Sequence, residues 1–253
     1  LRDAFPEAPH LGYFEWFFGG LGTDLDFVQP EALTSDDRLR RHTTNACTLT
    51  ELVQCDAGLS PTAFQRAQFP LELRAKIAVV HDGIDTEFFA RDGAPERPEG
   101  SGAAAPGEAE VVTYAARGLE PYRGFLEFME AVTLLLPRRP RLYVLVAGRD
   151  RTYYSRPLPG GKTYRGLALE RFPALGSERV RFLGMLPRED YRDLLHTSQV
   201  HVYLTAPFVL SWSLAESMAA GCTIVASDTE PVREVLRDGE SALLADFHSP
   251  AAI

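Results

Sequence analysis

Residues Tyr203–Pro231 read YLTAPFVLSWSLAESMAAGCTIVASDTEP, and this stretch predicts the fold of the longer part of the chain. Val200–Leu204 is a short apolar run typical of a buried parallel strand, and Pro207 ends it because proline has no N–H for a sheet ladder. A serine can cap the helix that follows, and Gly221 is placed to end it. The β-branched, apolar run Thr223–Ala226 predicts the next strand.

The start of this helix is a candidate binding site. A helix that opens at the carboxyl end of a parallel strand presents unpaired N–H groups and a positive dipole end, which suit a phosphate or a sugar hydroxyl. Either Ser211 or Ser213 can be the cap residue, and Glu216 can accept hydrogen bonds from a vicinal diol. Ser213 and Glu216 also match a capping box, so spacing alone leaves both roles of the glutamate open.

The chain from Val111 onward shows the same alternation of strand and helix patterns. Strands are predicted at Val111–Ala115, Leu142–Ala147, Val180–Leu183 and Ala242–Ala245, and helices at Gly124–Leu136, Tyr164–Arg171, Tyr191–His196 and Val232–Leu236. Strands that alternate with helices predict the α/β class, with a doubly wound parallel sheet of the Rossmann-like type.

The shorter first part of the chain contains a helical pattern followed by two short strands. Asp36–Ala57 has helical spacing of its apolar residues, and Lys76–His81 is typical of a strand. Gly58–Pro61 also predicts a strand, and its proline is placed to begin a further helix. Near the start, Glu15 interrupts the aromatic run Tyr13–Phe18. Glu15 is either an exposed residue at an edge or a buried group with a function.

Between these parts, residues 87–109 are rich in Ala, Pro, Gly and Glu and show no periodic apolar face. This composition is typical of a linker or a long surface loop. We therefore divide the chain into a first part at 1–85, a linker at 86–109 and a second part at 110–253.

Composition excludes several classes of protein. The 253 residues carry a formal net charge of −9, which argues against a nucleic-acid binder because such proteins need a basic face. The 3 cysteines lack CxxC spacing and the 6 histidines lack HExxH spacing, so we expect no disulfide framework and no metal site. No apolar run reaches the roughly 20 residues of a bilayer span. We expect a cytoplasmic protein, with peripheral contact at the inner face of a membrane left open.

The segment RGLEPYRG, from Arg117 to Gly124, joins the first strand of the second part to its helix. The positive charge of an arginine in a first helical turn is repelled by the helix dipole, at a cost of about 0.3–1 kcal/mol. A bound anion makes the net interaction favourable. Arg117 and Arg123 could therefore converge with a helix N-terminus on one diphosphate. The alternative is that both arginines are solvated side chains of a loop.

The turn Gly184–Pro187 follows another strand at the same sheet edge. Its backbone could contact a base while Met185 covers the ring, although a plain strand-to-helix turn fits the pattern nearly as well. The chain has no GxGxxG, GxxxxGK[ST] or GxSxG motif. Nicotinamide chemistry, P-loop phosphoryl transfer and hydrolase-elbow catalysis are therefore poorly supported.

Several short motifs also occur in a fixed order. They are HDGID at His81–Asp85, Arg117 with Arg123-Gly124, FLG at Phe182–Gly184, LAESMAAG at Leu214–Gly221, VASD at Val225–Asp228, and Asp238-Gly239 with Leu243-Leu244. In this order they resemble the hinge NGVD, the Arg and Lys-Gly, the FxG, the LxEAMAxG with VxxS/T, and the DGxxGLL of the retaining family-four glycosyltransferases. The resemblance covers the chain from Lys76 to its end and implies the GT-B fold, in which two Rossmann-like domains face each other.

The resemblance implies an enzyme of polysaccharide biosynthesis or a related pathway. It would transfer a sugar from a nucleotide-diphosphate sugar to a glycan, lipid or other acceptor, with retention and without metal or cofactor. By resemblance the catalytic residues are Arg117, Arg123 and Glu15. The residues that would bind the donor are Gly118, Gly124, Met185, Leu186, Phe208, Leu210, Ser211, Trp212 and Glu216.

The chain also departs from the family pattern. Phe208 stands where the first glutamate of the family's E-x7-E motif, which contacts the transferred sugar, is expected, whereas Glu216 matches the second. The first part resembles only the last third of an N-terminal GT-B domain, so we expect a fragment. Two alternatives stay open: a non-catalytic module that binds a nucleotide sugar, and a sugar-nucleotide epimerase on the same fold.

Overall fold

The computed structural model describes residues 2–19, 23–28, 34–91 and 109–253, which contain two parallel sheets. The three-stranded sheet has the order β1-β2-β3, and the six-stranded sheet has the order β6-β5-β4-β7-β8-β9. The strands are β1 (Leu11–Tyr13), β2 (Ala57–Ser60), β3 (Ile77–Val79), β4 (Glu110–Gly118), β5 (Leu142–Arg149), β6 (Val180–Gly184), β7 (Val200–Tyr203), β8 (Ile224–Ser227) and β9 (Leu243–Ala245). Both sheets confirm the predicted α/β, Rossmann-like class.

The helices connect these strands in the expected alternation. They are α1 (Asp24–Val28), α2 (Ser35–Gln54), α3 (Ala63–Arg66), α4 (Thr86–Phe89), α5 (Phe125–Leu135), α6 (Tyr164–Arg171), α7 (Arg188–Thr197), α8 (Trp212–Ala219) and α9 (Glu230–Arg233). None of the helices in the described part of the chain combines the length and apolar character that a membrane span needs.

The strand order of the larger sheet determines where a ligand can enter. The chain builds outward from β4 through β5 to β6, and then returns to the other side of β4 with β7. Val112, Thr113 and Tyr114 of β4 pair with consecutive residues of β7. Doubly wound sheets bind ligands in the crevice at the carboxyl ends of the strands where the order reverses, which here lies between β4 and β7.

Apolar side chains on helix and sheet bury the face of the larger sheet next to α5. Phe125, Phe128, Met129 and Val132 of α5 belong to one core cluster with Tyr114 of β4 and with Leu142, Val144 and Val146 of β5. Phe125, Met129 and Val132 have no exposed surface. This packing explains why the periodic apolar pattern of the segment predicts its helix correctly.

Two of the element boundaries that differ from the sequence prediction have clear local reasons. Pro61 does not begin the helix α3, because Thr62 is its N-cap and accepts a hydrogen bond from the N–H of Gln65 at 3.0 Å. The last short helix spans Glu230–Arg233 instead of the predicted Val232–Leu236. Its first turn contains Pro231, which suits a helix start because it needs no N–H partner there.

Backbone N–H groups take part in several of the contacts that join the part with the smaller sheet to the part with the larger one. The carboxylate of Glu234 accepts hydrogen bonds from the N–H groups of Ala63 (2.7 Å) and Phe64 (2.9 Å), at the start of α3. The N–H of Asp24 donates to the carbonyl of Pro207 at 3.1 Å. The two parts therefore pack directly against each other on either side of the predicted hinge.

The predicted linker is partly described. Its first residues form the helix α4, whose Phe89 is 1% exposed and packs against Leu195 and Ala220 of the larger part. Residues 92–108 of the predicted linker lie outside the described residues. The division of the chain at 86–109 stays a prediction.

Candidate functional site

A cleft of about 570 Å³ opens at the carboxyl ends of β4, β5 and β7, where the strand order reverses. Residues from the loops after these strands, from the start of α8 and from the segment after β1 line it. The predicted site residues that line it are Glu15, Arg117, Gly118, Arg123, Met185, Leu186, Leu210, Ser211, Trp212 and Glu216. Residues far apart in the sequence meet here because parallel strands end at a common edge.

Arg123 is held rigidly at the base of the cleft. It ends a 3-10 turn, Pro121–Arg123, instead of lying in the first turn of α5 as the sequence predicted. Its side chain is 8% exposed, and Nη1 donates to Thr205 Oγ1 at 2.7 Å and to the carbonyl of Val209 at 3.2 Å. The solvated-loop alternative is therefore wrong for Arg123.

Arg117 is exposed at the same end of β4, with its guanidinium over the ring of Tyr153 at 4.2 Å from the ring centroid. The sequence does not predict this contact, because Tyr153 follows the neighbouring strand β5. The two arginines of the cleft are therefore held differently. Arg117 is exposed and stacked on a ring, whereas Arg123 is buried and hydrogen-bonded.

Gly124 does not line the cleft. It was predicted to bind the donor, but its backbone N–H is already engaged in a hydrogen bond. Its N–H donates to the carbonyl of Pro121 at 2.9 Å. Its φ of +59° lies in the left-handed region, and an added Cβ would stand 2.6 Å from Cβ of Leu204. Gly124 is required because the chain must turn into α5 while it passes close to the end of β7.

Phe208 also lies outside the cleft, contrary to the prediction that it contacts the donor. It is 5% exposed and packs against Trp16, Tyr122 and Tyr154, with ring centroids 4.7, 5.1 and 5.0 Å away. Phe208 also lines a neighbouring cleft, most of whose residues belong to the smaller part of the chain. The edge-to-face contacts of three rings explain this position, because aromatic pairs add about 0.5–1.5 kcal/mol to the burial of each ring.

Ser211 is the N-cap of α8, which resolves the choice between two serines. Its Oγ accepts from the N–H of Ser213 at 3.3 Å, and its own N–H donates to the hydroxyl of Tyr203 at 3.0 Å. Ser213 lies inside the helix, so the capping box of Ser213 with Glu216 does not form. That alternative is wrong, and the carboxylate of Glu216 borders the cleft.

Glu216 is half-buried in the wall of the cleft. Burial raises the pKa of its carboxyl group, while the Tyr191 hydroxyl and the Arg188 guanidinium act in the opposite direction. The hydroxyl of Tyr191 is itself buried and lies beside this carboxylate. Burial and the charge of Glu216 raise the pKa of Tyr191 well above its ordinary value. A half-buried carboxylate beside a buried phenol can accept hydrogen bonds from a bound hydroxyl group.

Glu15 enters the cleft from the segment after β1 and is exposed on one side. Desolvation raises the pKa of its carboxyl group, and the negative charge of Asp82 raises it further. Arg123 and Arg117 lower the same pKa. Glu15 therefore shares the cleft with both arginines, which the sequence alone did not establish. Of the two alternatives for Glu15, an exposed edge residue or a buried group, the buried group is wrong, since Glu15 is exposed.

Sequence reasoning missed two features of the site. One is the loop Tyr153–Ser155, whose rings lie beside Arg117 and Arg123. The other is Asp82, which accepts hydrogen bonds from Tyr13 and Trp212 at 2.7 and 2.6 Å. A tyrosine pair after a predicted strand and an aspartate in place of the asparagine of a hinge motif were the available signals. Neither sequence pattern indicates which residues these side chains contact.

The cleft offers polar and cationic groups and no evident metal ligands. Within the described ranges, no group of three or more His, Cys, Asp and Glu side chains is arranged to hold a metal ion. Two guanidinium groups near a helix start are suited to bind a diphosphate.

Family models and curated proteins of the glycosyltransferases are similar to this chain. The model described as "Glycosyl transferases group 1" matches residues 101–253, and the model described as "Glycosyl transferase family 4 group" matches residues 1–89. A D-inositol 3-phosphate glycosyltransferase of Corynebacterium efficiens is 31% identical over 181 residues, covering 70% of this chain and 40% of that protein. A phosphatidyl-myo-inositol mannosyltransferase of Mycobacterium tuberculosis is 27% identical over 175 residues, with 68% and 40% covered.

Solved structures show the same fold at low sequence identity. Anabaena HepE in complex with UDP and glucose has a TM-score of 0.68 at 17% identity, covering 99% of this chain and 61% of that one. An α,α-trehalose-phosphate synthase of Burkholderia vietnamiensis has a TM-score of 0.67 at 17% identity, with 100% and 58% covered. These likenesses confirm the GT-B type of architecture. The chain spans about 40% of the length of the curated relatives that it matches.

Proposed function

The chain belongs to the glycosyl transferases group 1 family, whose model matches residues 101–253, and from this premise we propose that it carries the donor site of a glycosyltransferase. The donor would be a nucleotide-diphosphate sugar, and the acceptor a glycan or a lipid-linked molecule. The observation that supports this most directly is the meeting of Arg117 and Arg123 in one cleft at the carboxyl ends of parallel strands. Two guanidinium groups match the charge of a diphosphate.

In this proposal the arginines stabilise the negative charge that develops on the leaving diphosphate. Preorganised charges are effective in catalysis because they need no reorientation during the reaction. Arg123 meets that condition through its two hydrogen bonds to Thr205 and Val209. The residues of the cleft supply this stabilisation themselves, so the proposed reaction is metal-independent.

The other cleft residues divide between the nucleoside and the sugar. Glu216 would accept hydrogen bonds from the ribose hydroxyls, and the turn that carries Met185 and Leu186 would cover the base. Met185 is 54% exposed, which leaves its side chain free to pack on a ring. Glu15 lies close enough to both arginines for their charges to lower the pKa of its carboxyl group, and it would stand near the transferred sugar.

Retention of the anomeric configuration is proposed on family membership alone. The sugar-facing contact must differ from the family pattern, because Phe208 packs into the aromatic cluster with Trp16, Tyr122 and Tyr154. We also keep the division into domains at 1–85 and 110–253. Gly83, with a φ of +77° and no atom within 4 Å of an added Cβ, would act as the hinge between them.

The proposal is tested by incubating the protein with a panel of nucleotide-diphosphate sugars and candidate glycan and lipid acceptors. Release of nucleoside diphosphate that depends on both donor and acceptor supports a transferase. Binding of a donor by calorimetry without turnover in any combination favours the binding module instead. Conversion of one nucleotide sugar into another without release of diphosphate favours an epimerase.

A further inference from the structure

Glu120 is a buried acidic side chain whose carboxylate is surrounded by backbone N–H groups. It is 1% exposed, and Oε2 accepts from the N–H groups of Tyr153 (3.2 Å), Tyr154 (2.9 Å) and Ser155 (2.7 Å), while Oε1 accepts from Tyr153 at 3.1 Å. Burial of a carboxylate is costly unless hydrogen bonds compensate for lost water. Three consecutive amides supply that compensation, and they tie the loop after β5 to the segment after β4.

Two further contacts join the same segments. The N–H of Tyr122 donates to Oγ of Ser155 at 3.4 Å. Gly118 packs so closely on the loop that an added Cβ would lie 2.5 Å from the carbonyl oxygen of Arg151. The segment that carries both arginines of the cleft and the loop that carries Tyr153 therefore form one packed unit.

This unit places an aromatic ring beside each arginine. The guanidinium of Arg117 lies 4.2 Å from the ring centroid of Tyr153, and that of Arg123 lies 5.8 Å from the ring of Tyr154. A cation over an aromatic face is attracted by the ring quadrupole, which limits the positions the cation adopts. Arg117 is exposed, so this contact is its main restraint.

We propose that Glu120 is a positioning residue: by fixing the loop Tyr153–Ser155 it holds the ring of Tyr153, which orients the exposed Arg117 for a diphosphate, and the ring of Tyr154, which borders Arg123. Glu120 borders the cleft, but its two carboxylate oxygens are engaged by amides, so it acts through the loop and not on the ligand. The inference rests on the proposed function for its consequence in binding. Its structural step can be measured without any ligand.

The first test measures binding of uridine, guanosine and adenosine diphosphate by calorimetry in wild type and in Glu120→Gln. Glutamine keeps the shape but directs an NH2 group against the loop amides. We expect the tightest-binding nucleotide to lose about tenfold in affinity, as for the loss of two partly exposed cation–π contacts. Glu127→Gln is the matched control, because Glu127 is a half-buried acid of the neighbouring helix α5 and does not bond the loop. It should leave the affinity unchanged.

The second test needs no nucleotide. In the apo protein the ring currents of Tyr153 and Tyr154 should shift the Nε–H signals of Arg117 and Arg123 upfield in an arginine-selective NMR spectrum. Glu120→Gln should reduce the upfield shift of both signals, with the larger change at the exposed Arg117, and Glu127→Gln should not. Unchanged arginine signals in a folded Glu120→Gln protein would refute the positioning role.

The two tests separate failure of this inference from failure of the proposed function. If wild type binds none of the nucleotides, the donor proposal fails and the apo spectrum still decides the role of Glu120. If Glu120→Gln does not fold, Tyr153→Leu and Tyr154→Leu remove the rings while the carboxylate stays. These variants should then lose affinity and the arginine shifts together, and retention of both would overturn the inference.

Discussion

Trp212 donates a hydrogen bond from its indole Nε1 to Oδ2 of Asp82 at 2.6 Å. The other carboxylate oxygen of Asp82 accepts from the hydroxyl of Tyr13 at 2.7 Å. Tyr13 belongs to the smaller sheet, Trp212 begins α8 of the larger part, and Asp82 lies between them in the predicted hinge. One carboxylate therefore joins both parts of the chain at the mouth of the cleft.

Asp82→Asn should weaken this bridge, because an amide oxygen and an NH2 group cannot both accept a hydrogen bond. In a double-mutant cycle with Trp212→Phe, we expect a coupling free energy of about 0.5–1.5 kcal/mol in urea denaturation. Asp82→Asn should lose less stability in the Trp212→Phe background than in wild type. Strict additivity of the two substitutions would show that the hydrogen bond does not stabilise the fold.

The titration of Glu15 should report its charged neighbours. Asp82 raises the pKa of the Glu15 carboxyl group and Arg117 lowers it. Asp82→Asn should therefore lower the pKa of Glu15, and Arg117→Ala should raise it, as measured by carbon-detected NMR titration. The exposed Asp150→Asn serves as a charge-matched control and should leave the pKa of Glu15 in place. An unchanged pKa of Glu15 in both variants would place its carboxylate away from these groups.

Alanine variants of the two arginines should weaken nucleotide binding to a similar extent but differ in their free energy of unfolding. Arg117→Ala and Arg123→Ala should each weaken nucleoside diphosphate binding by about 10- to 100-fold, as for the loss of a charge-assisted hydrogen bond. Arg123→Ala should also destabilise the fold by about 1–3 kcal/mol, because it leaves the buried oxygens of Thr205 and Val209 without their donor. Arg117 is exposed, so its variant should unfold like wild type. Calorimetry and urea denaturation measure the two effects separately, and unchanged affinity in both variants would remove the diphosphate assignment.

Stability should fall in mild acid because of His201. This side chain is fully buried, its Nδ1 lies 2.8 Å from Thr113 Oγ1, and burial lowers its pKa to about 4. The unfolded chain binds a proton near pH 6.5, whereas the folded protein resists protonation down to about pH 4. The neutral histidine therefore contributes full stability above pH 6.5, and up to about 3 kcal/mol is lost as the pH falls through this window.

His201→Gln should remove that pH-dependent loss from the free energy of unfolding measured between pH 7 and pH 4. His42→Gln is the matched control, because His42 is exposed on α2. An unaltered pH profile in His201→Gln would assign the acid sensitivity to other groups.

Two glycines with similar backbone angles should respond differently to alanine. Gly221 has a φ of +69° and no atom within 4 Å of an added Cβ, so Gly221→Ala should cost only the left-handed strain of about 1–2 kcal/mol. Gly124→Ala adds a contact at 2.6 Å with Leu204, and we expect a total loss of roughly 2–5 kcal/mol. Thermal unfolding of both variants makes the comparison, and equal losses would show that the site near Leu204 relaxes freely.

The parts of the fold that the sequence predicts well are those with a strong local pattern. The predicted helix Tyr164–Arg171 is observed with the same bounds, and α5 differs from its prediction by one residue at each end. Their apolar faces and flanking strands agree with the tertiary packing. The clustering of Arg117, Arg123 and Glu216 was also predictable, because strand topology alone brings the carboxyl ends together.

The roles that the sequence could not predict depend on partners distant along the chain. Phe208 turns into an aromatic cluster because Trp16, from the smaller part, completes it. Glu120 bonds amides more than 30 positions away, and backbone amides leave no signature in the side-chain pattern. Gly124 matches a binding motif, yet its amide is already engaged by Pro121. Each case is decided by tertiary contacts and not by spacing.

The carboxylate of Glu234 on the two amides at the start of α3 has a consequence for observing domain motion. A rotation that separates the two parts of the chain must release the N–H groups of Ala63 and Phe64 into water. Their hydrogen exchange would then report the free energy of this opening, or the opening rate itself where exchange from the open form is faster than reclosing. Hydrogen exchange at these two amides would therefore report the relative motion of the two parts. Both amides lie outside the residues that line the cleft, so the measurement needs no assay of the cleft's chemistry.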